Sequence, residues 1–269
     1  MRTISITSGK GGVGKTSIAV NLGIALANRG KRVLLFDADL GLANVDVLLG
    51  TRAPYTLQHV LAGEKRVTEI VARGPGGLDF IAGGSGIQAL VNLSGPQLDR
   101  FLTELSELER ETDILIFDTG AGIDDTVMAF LEAADETLLV ATPDPASITD
   151  AYATAKTLFA RKPAANIRMV LNMVANVQQG EIVYGRVNTI CRQFLDKTLH
   201  YLGAVRSDPD VVACTRKRQP FILAAPKSAA STDVGKLADR ILGQFEQKDR
   251  RSLVERLRSV FGIALKKSA

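Results

Sequence analysis

Gly9-Lys10-Gly11-Gly12-Val13-Gly14-Lys15-Thr16 lies between a β-branched run, Arg2–Ser8, and an apolar helical pattern, Ser17–Asn28. Its glycines let the backbone curl until successive N–H groups face one point. The helix that follows adds its positive N-terminal end, so the loop is built for an anion. The spacing G-x-x-x-x-G-K-[ST] sets Lys15 within reach of the β- and γ-phosphates of a nucleotide and lets the Thr16 hydroxyl hold Mg²⁺. Gly9, Lys10, Gly11, Gly12, Val13, Gly14, Lys15, Thr16 and Ser17 are therefore the expected phosphate contacts. A strand before and a helix after make a chance match improbable.

Moving outward, strands and helices alternate. Arg32–Phe36 is an apolar strand that ends in Asp37-Ala38-Asp39. Leu78–Ala82, Asp113–Phe117, Glu136–Ala141, Ile167–Val174 and Leu199–Val205 read as further strands. Pro96–Arg110 and Asp233–Gln247 read as helices, and Thr119–Gly122 as a tight loop. The alternation predicts an α/β fold, a doubly wound, mostly parallel sheet flanked by helices. Such sheets bind ligands beyond the carboxyl ends of their strands. The phosphate loop, the Asp37/Asp39 pair and Asp118 all fall there. Asp39, in the loop beyond its strand, is suited to orient an attacking water, with Asp37 as its supporting partner. Asp118, after Ile114-Leu115-Ile116-Phe117, is expected near the metal, through a water.

The composition is globular: 46% hydrophobic and 23% charged residues, with a net charge of +4. Residues 248–269 carry seven Lys or Arg against two Asp or Glu, so the basic excess belongs to the tail. The body has no positive surplus to track nucleic acid, and no direct nucleic acid binding is expected. No apolar run approaches the roughly 18 residues needed to span a bilayer, and no leader precedes Gly9. Cys191 and Cys214 lack metal spacing and are expected to be small buried hydrophobes in a reducing, cytoplasmic setting. His59 and His200 stand without a constellation.

The early lysine of Lys10-Gly-Gly-Val-Gly-Lys15-Thr16 resembles the deviant Walker A motif of the MinD/ParA class of P-loop ATPases. The resemblance implies ATP/ADP and Mg²⁺ as ligands and a homodimer in the ATP state. In it, Lys10 of one subunit contacts the phosphates held by the other and makes hydrolysis dependent on dimerisation. It also implies catalytic roles for Lys10, Lys15 and Asp39. Leu171-Asn172-Met173 and Arg206-Ser207-Asp208 resemble the class's base-contact segments, so Asn172, Arg206 and Asp208 are the expected base contacts. Arg206 departs from the pattern, where a proline is usual.

Asp37–Gly50, Asp118–Ile123 and Asp144–Tyr152 resemble the FlhG (FleN, YlxH) branch of that class, which regulates flagellar number and placement. The implied partners are flagellar: an FlhF-type GTPase, switch or C-ring components, or a transcription activator. Only eight residues precede Gly9, which leaves no room for the extension that activates an FlhF-type GTPase. Septum-site positioning as in MinD, a nucleotide-binding scaffold with little turnover, DNA partition and an amide-forming ligase are the competing readings. Intact Lys10, Asp39 and Asp118 argue against the scaffold.

The tail is expected to be a separate element: residues 1–247 form the ATPase domain and residues 248–269 a basic amphipathic helix. Leu253, Val254, Leu257, Val260, Phe261, Ala264 and Leu265 share one arc of a helical wheel, and Arg256 and Lys267 flank it. Such a helix lies in an anionic membrane interface or packs on protein. The first reading, through residues 250–267, predicts reversible association with the inner face of the cell membrane. The two coexist if ATP releases a docked helix.

Overall fold

The computed structural model describes residues 1–39, 45–84, 95–243 and 251–267, the last six by backbone alone. Residues 40–44 of the Asp37–Gly50 segment, and the expected boundary near residue 247, lie outside these. β1 (Arg2–Ser8) runs into α1 (Lys15–Ala27), then β2 (Val33–Ala38), α2 (Val45–Leu49) and α3 (Leu57–Leu61). A short β3 (Ala72–Arg73) turns back on β4 (Leu78–Ile81). Then come α4 (Gly95–Glu111), β5 (Ile114–Ala121), α5 (Asp125–Ala133), β6 (Glu136–Ala141) and α6 (Pro145–Arg161). The chain closes with β7 (Ile167–Val174), α7 (Val177–Leu195), β8 (His200–Arg206), α8 (Pro209–Arg216), α9 (Phe221–Ala224), α10 (Ala229–Gly243) and α11 (Leu253–Lys267).

The sheet has eight strands in the order β3-β4-β2-β5-β1-β6-β7-β8. Among the described residues, only the β3–β4 pairing is antiparallel. β1 sits where the winding reverses, the place where such sheets open a crevice. Both faces are covered, so the strands read as continuous apolar runs. Alternate residues serve opposite layers. Val33 and Leu35 face α1 and α10, whereas Leu34 and Phe36 face α4 and α5.

Two expectations need correction. β5 does not stop at Phe117; it runs on to Ala121, because β2 supplies backbone partners as far as Thr119 and β1 as far as Ala121. The loop expected from Thr119 therefore begins only at Gly122. The antiparallel β3, α2 and α3 carry too few residues for a periodic signal and were not expected.

α11 lies against α4 and α5. Leu253, Leu257 and Phe261 are buried in the same core as Phe36 and Phe117, and the Phe261 and Phe130 rings meet edge to face at 5.9 Å. Arg256 is only 5% exposed and pairs with Asp135 at 2.7 Å. Asp135 also accepts hydrogen bonds from the amide and hydroxyl of Thr3 at the start of β1. Arg258 reaches Asp99 at 2.9 Å. As far as its side chains are described, to Phe261, the apolar stripe is thus occupied by the body, and the flank expected to face lipid supplies a buried ion pair.

Candidate nucleotide-binding site

The chain leaves β1 at Ser8 and enters α1 through a left-handed step at Gly12 (φ 79°) and another at Gly14 (φ 88°). Side chains rarely adopt that region, so these two glycines set the curl. Gly14 caps α1 without a side chain, and no acidic residue occupies the first turn. The first amides of α1 keep unspent donors at a positive helix end, the requirement for holding phosphate. Val13 and Lys15 are buried, Thr16 and Ser17 are half-buried, and Gly11 and Gly12 face solvent.

The acidic side comes from β2 and β5. Asp37 and Asp118 are register partners on these adjacent strands, and each is 1% exposed. The Thr16 hydroxyl lies close enough to the Asp118 carboxylate to favour its charged form. Asp118 Oδ1 is buried with no hydrogen-bond partner. Burial first, and the neighbouring Asp37 carboxylate second, push the Asp118 acid up to about 8. Asp37 Oδ1 accepts the Asp39 amide at 3.3 Å, and Asp37 Oδ2 lies 3.5 Å from the Val45 amide. Asp37 therefore holds the backbone amides of Asp39 and Val45 on either side of residues 40–44. Asp39 is half-buried against Gly120, where an added Cβ would lie 3.3 Å from its Oδ1. The turn after β5 is tied back to the loop, since Gly122 N–H donates to Ser8 O at 3.0 Å.

An orphaned carboxylate oxygen beside a threonine hydroxyl suits a hard divalent cation. Among the described residues, no three His, Cys, Asp or Glu side chains form a metal cage on their own. Magnesium would be held by Thr16 and Asp118 and completed by phosphate oxygens and water, its usual mode of binding.

A mainly apolar cleft of about 380 Å³ opens beside Gly14 and Ser17. Ile18, Met173, Val205, Val211 and Phe221 give it flat apolar walls, and Asn172, Arg206 and Asp208 line it as well. All three expected base contacts reach the cleft, but each is also held by protein. Asn172 Nδ2 donates to Val13 O at 2.8 Å, which braces the phosphate loop. Asp208 caps α8 at the Asp210 amide and accepts from the Ala230 amide on α10. Arg206, the departure from the class pattern, is clamped by buried Asp233 at 2.7 and 2.9 Å. Its guanidinium ties the base-side loop to α10, the place a rigid proline would otherwise stiffen.

Met173 lies in the expected base-contact segment without being an expected contact, and Ile18, Val205, Val211 and Phe221 were not expected at the cleft at all. Met173 has φ 57° and is 48% exposed. It sits where the β7–β8 register slips between Asn172 and Val174. The slip turns the side chain outward, and no residue pattern announces it. Lys10 stands apart from Lys15. It is exposed at the loop's rim, with Nζ 2.7 Å from Asp144 Oδ2.

Four similarities to known proteins bear on this geometry. Antiactivator FleN of Pseudomonas aeruginosa is 40% identical over 241 residues, covering 90% of this chain and 86% of that protein. The flagellum site-determining protein YlxH of Helicobacter pylori is 38% identical over 265 residues, covering 98% and 89%. The septum site-determining protein MinD of Pyrococcus horikoshii, solved with Mg-ADP, superposes with a TM-score of 0.73 at 26% identity, covering 89% of this chain and 95% of that one. A family model described as ParA, NUBPL iron-transfer P-loop NTPase, matches residues 1–242. Iron handling finds no counterpart in the cysteines, since Cys191 and Cys214 are each free and buried. With the loop, the carboxylate strands and the cleft arranged on one sheet edge, this chain belongs to the MinD/ParA family of P-loop NTPases.

Proposed function

We propose that this chain is an ATP-driven dimerising switch ATPase that regulates flagellar number and placement. Mg·ATP closes a homodimer with two nucleotides at its interface, and slow hydrolysis to ADP reopens it. The contrast between the loop's two lysines carries the reading. Lys15 is 7% exposed and serves its own site. The Lys10 side chain is 46% exposed on the rim, available to a second subunit. Phosphoryl transfer needs charge placed around a loose transition state, so a lysine lent by a partner makes turnover depend on assembly.

Within each subunit, Lys15 and the α1 amides neutralise the phosphates, Thr16 and Asp118 support the metal, and Asp39 orients the attacking water. Asp37 holds the Asp39 amide. Asn172, Asp208 and the apolar cleft walls seat the base. Bound magnesium supplies further neutralisation at the phosphate oxygens. The flagellar assignment draws on the names of FleN and YlxH.

The tail gives the switch an output. A bilayer would bury the same stripe that α4 and α5 bury now, so the apolar contributions nearly cancel. Anionic lipid then adds about 1 kcal/mol per basic residue near the surface. Undocking on dimerisation would therefore favour reversible association with the inner face of the membrane. Sedimentation velocity with Mg²⁺ and a non-hydrolysable ATP analogue tests the core of the proposal. Wild type should dimerise and Lys10→Ala should remain monomeric while still binding ADP. A wild type that stays monomeric when saturated with the analogue refutes it.

A further inference from the structure

The rim lysine is already engaged. Lys10 Nζ lies 2.7 Å from Asp144 Oδ2. Asp144 stands at the N-cap of α6, directly before Pro145. The hydrogen bond between them raises the lysine pKa and lowers that of the carboxyl, and Asp150 on α6 adds to the same field. The backbone beneath Lys10 is held independently. Ser8 Oγ donates to Lys10 O at 2.7 Å. Gly9 is pressed on α6, where any Cβ would overlap the Asp150 backbone. For Nζ to change partners, only the lysine side chain has to swing.

We propose that Asp144 is a positioning residue for Lys10. It parks the ammonium in cis in the nucleotide-free monomer and so sets the threshold at which the lysine transfers to the triphosphate of a second subunit. The idea rests on the trans-acting reading of Lys10. Both side chains are about half exposed, and an ion pair so open to water shifts an equilibrium by roughly 1.5- to 5-fold. That strength suits the task. One screened carboxylate holds the lysine against idle encounters, yet a triphosphate with several charges outcompetes it.

The test uses the full chain. Asp144 makes no side-chain cap hydrogen bond and Asn suits an N-cap position as well as Asp does, so Asp144→Asn removes the charge without disturbing the helix start. In the nucleotide-free protein, amine labelling of Lys10 with an N-hydroxysuccinimide ester, read by mass spectrometry, should rise about 1.5- to 5-fold in Asp144→Asn. Asp144→Glu should label as wild type does. With Mg²⁺ and a non-hydrolysable ATP analogue, Asp144→Asn should dimerise at a protein concentration lower by a similar factor. The gain should fade in high salt, where exposed charges are screened. Unchanged Lys10 labelling, or a dimerisation threshold that stays put or rises, overturns the proposal. If wild type forms no dimer, the trans role of Lys10 fails, and the labelling arm alone still reports whether Asp144 holds the lysine.

Discussion

Asp118 shows how one buried carboxyl links stability to ligand. The folded protein keeps its proton up to about pH 8, whereas the unfolded chain releases it near the ordinary value of 3.8. Between those limits the folded state binds the extra proton, so its stability falls as pH rises. The slope due to this one site is at most about 1.4 kcal/mol per pH unit. Without nucleotide or Mg²⁺, chemical denaturation of wild type should lose stability from pH 5 to 8 more steeply than Asp118→Asn. Parallel profiles would remove Asp118 as the source. The variant should also lose the Mg²⁺ dependence of nucleotide affinity, because its amide offers no charge to the cation. Asp37, although equally buried, has amide donors at Asp39 and Val45. Two like residues at one register position are thus separated by what their oxygens meet, a difference invisible in two strands that both end in Asp.

At the scale of elements, the C-terminal helix is the part whose reading changed most. Its apolar spacing was legible, and Leu253, Leu257 and Phe261 are the apolar side chains it buries among those described. What they face was not legible, because an apolar stripe is the same whether lipid or protein covers it. Arg256 decides for protein in this state. It is 5% exposed and matched to Asp135, a residue 121 positions away. Leu257→Ala should weaken docking by roughly 2–5 kcal/mol. Hydrogen exchange should then speed up across residues 253–261 while β1 and β5 stay protected. The same variant should pellet more strongly with anionic vesicles in ADP, where wild type is expected to stay in solution. If exchange quickens across the central strands as well, α11 belongs to the folding core and is not a releasable element.

Across the whole molecule, the site is a junction of distant segments. Gly9–Thr16, Asp37–Asp39, Asp118, Asn172 and Asp208 meet only because the strands that carry them lie side by side in the order β2-β5-β1-β6-β7-β8. Turnover is expected to depend on two such molecules. Asp39→Ala should therefore bind ATP, dimerise and stall, with steady-state hydrolysis lower by about 10²-fold or more and a dimer that persists in sedimentation with ATP. Normal hydrolysis by that variant would take Asp39 out of the mechanism. By itself the sequence determined the phosphate loop, the succession of the main strands along the chain and the carboxylates at their ends. Each is a local signal: a glycine pattern that sets backbone torsions, an apolar run, a polar residue at its close. Only the tertiary structure decided which lysine is buried, that Asp144 holds Lys10, that Asp233 clamps Arg206, that a register slip turns Met173 into the cleft and that the tail lies on α4 and α5. These depend on charges and surfaces far apart in the chain, and their free energy exists only after folding has brought them within hydrogen-bond or van der Waals range.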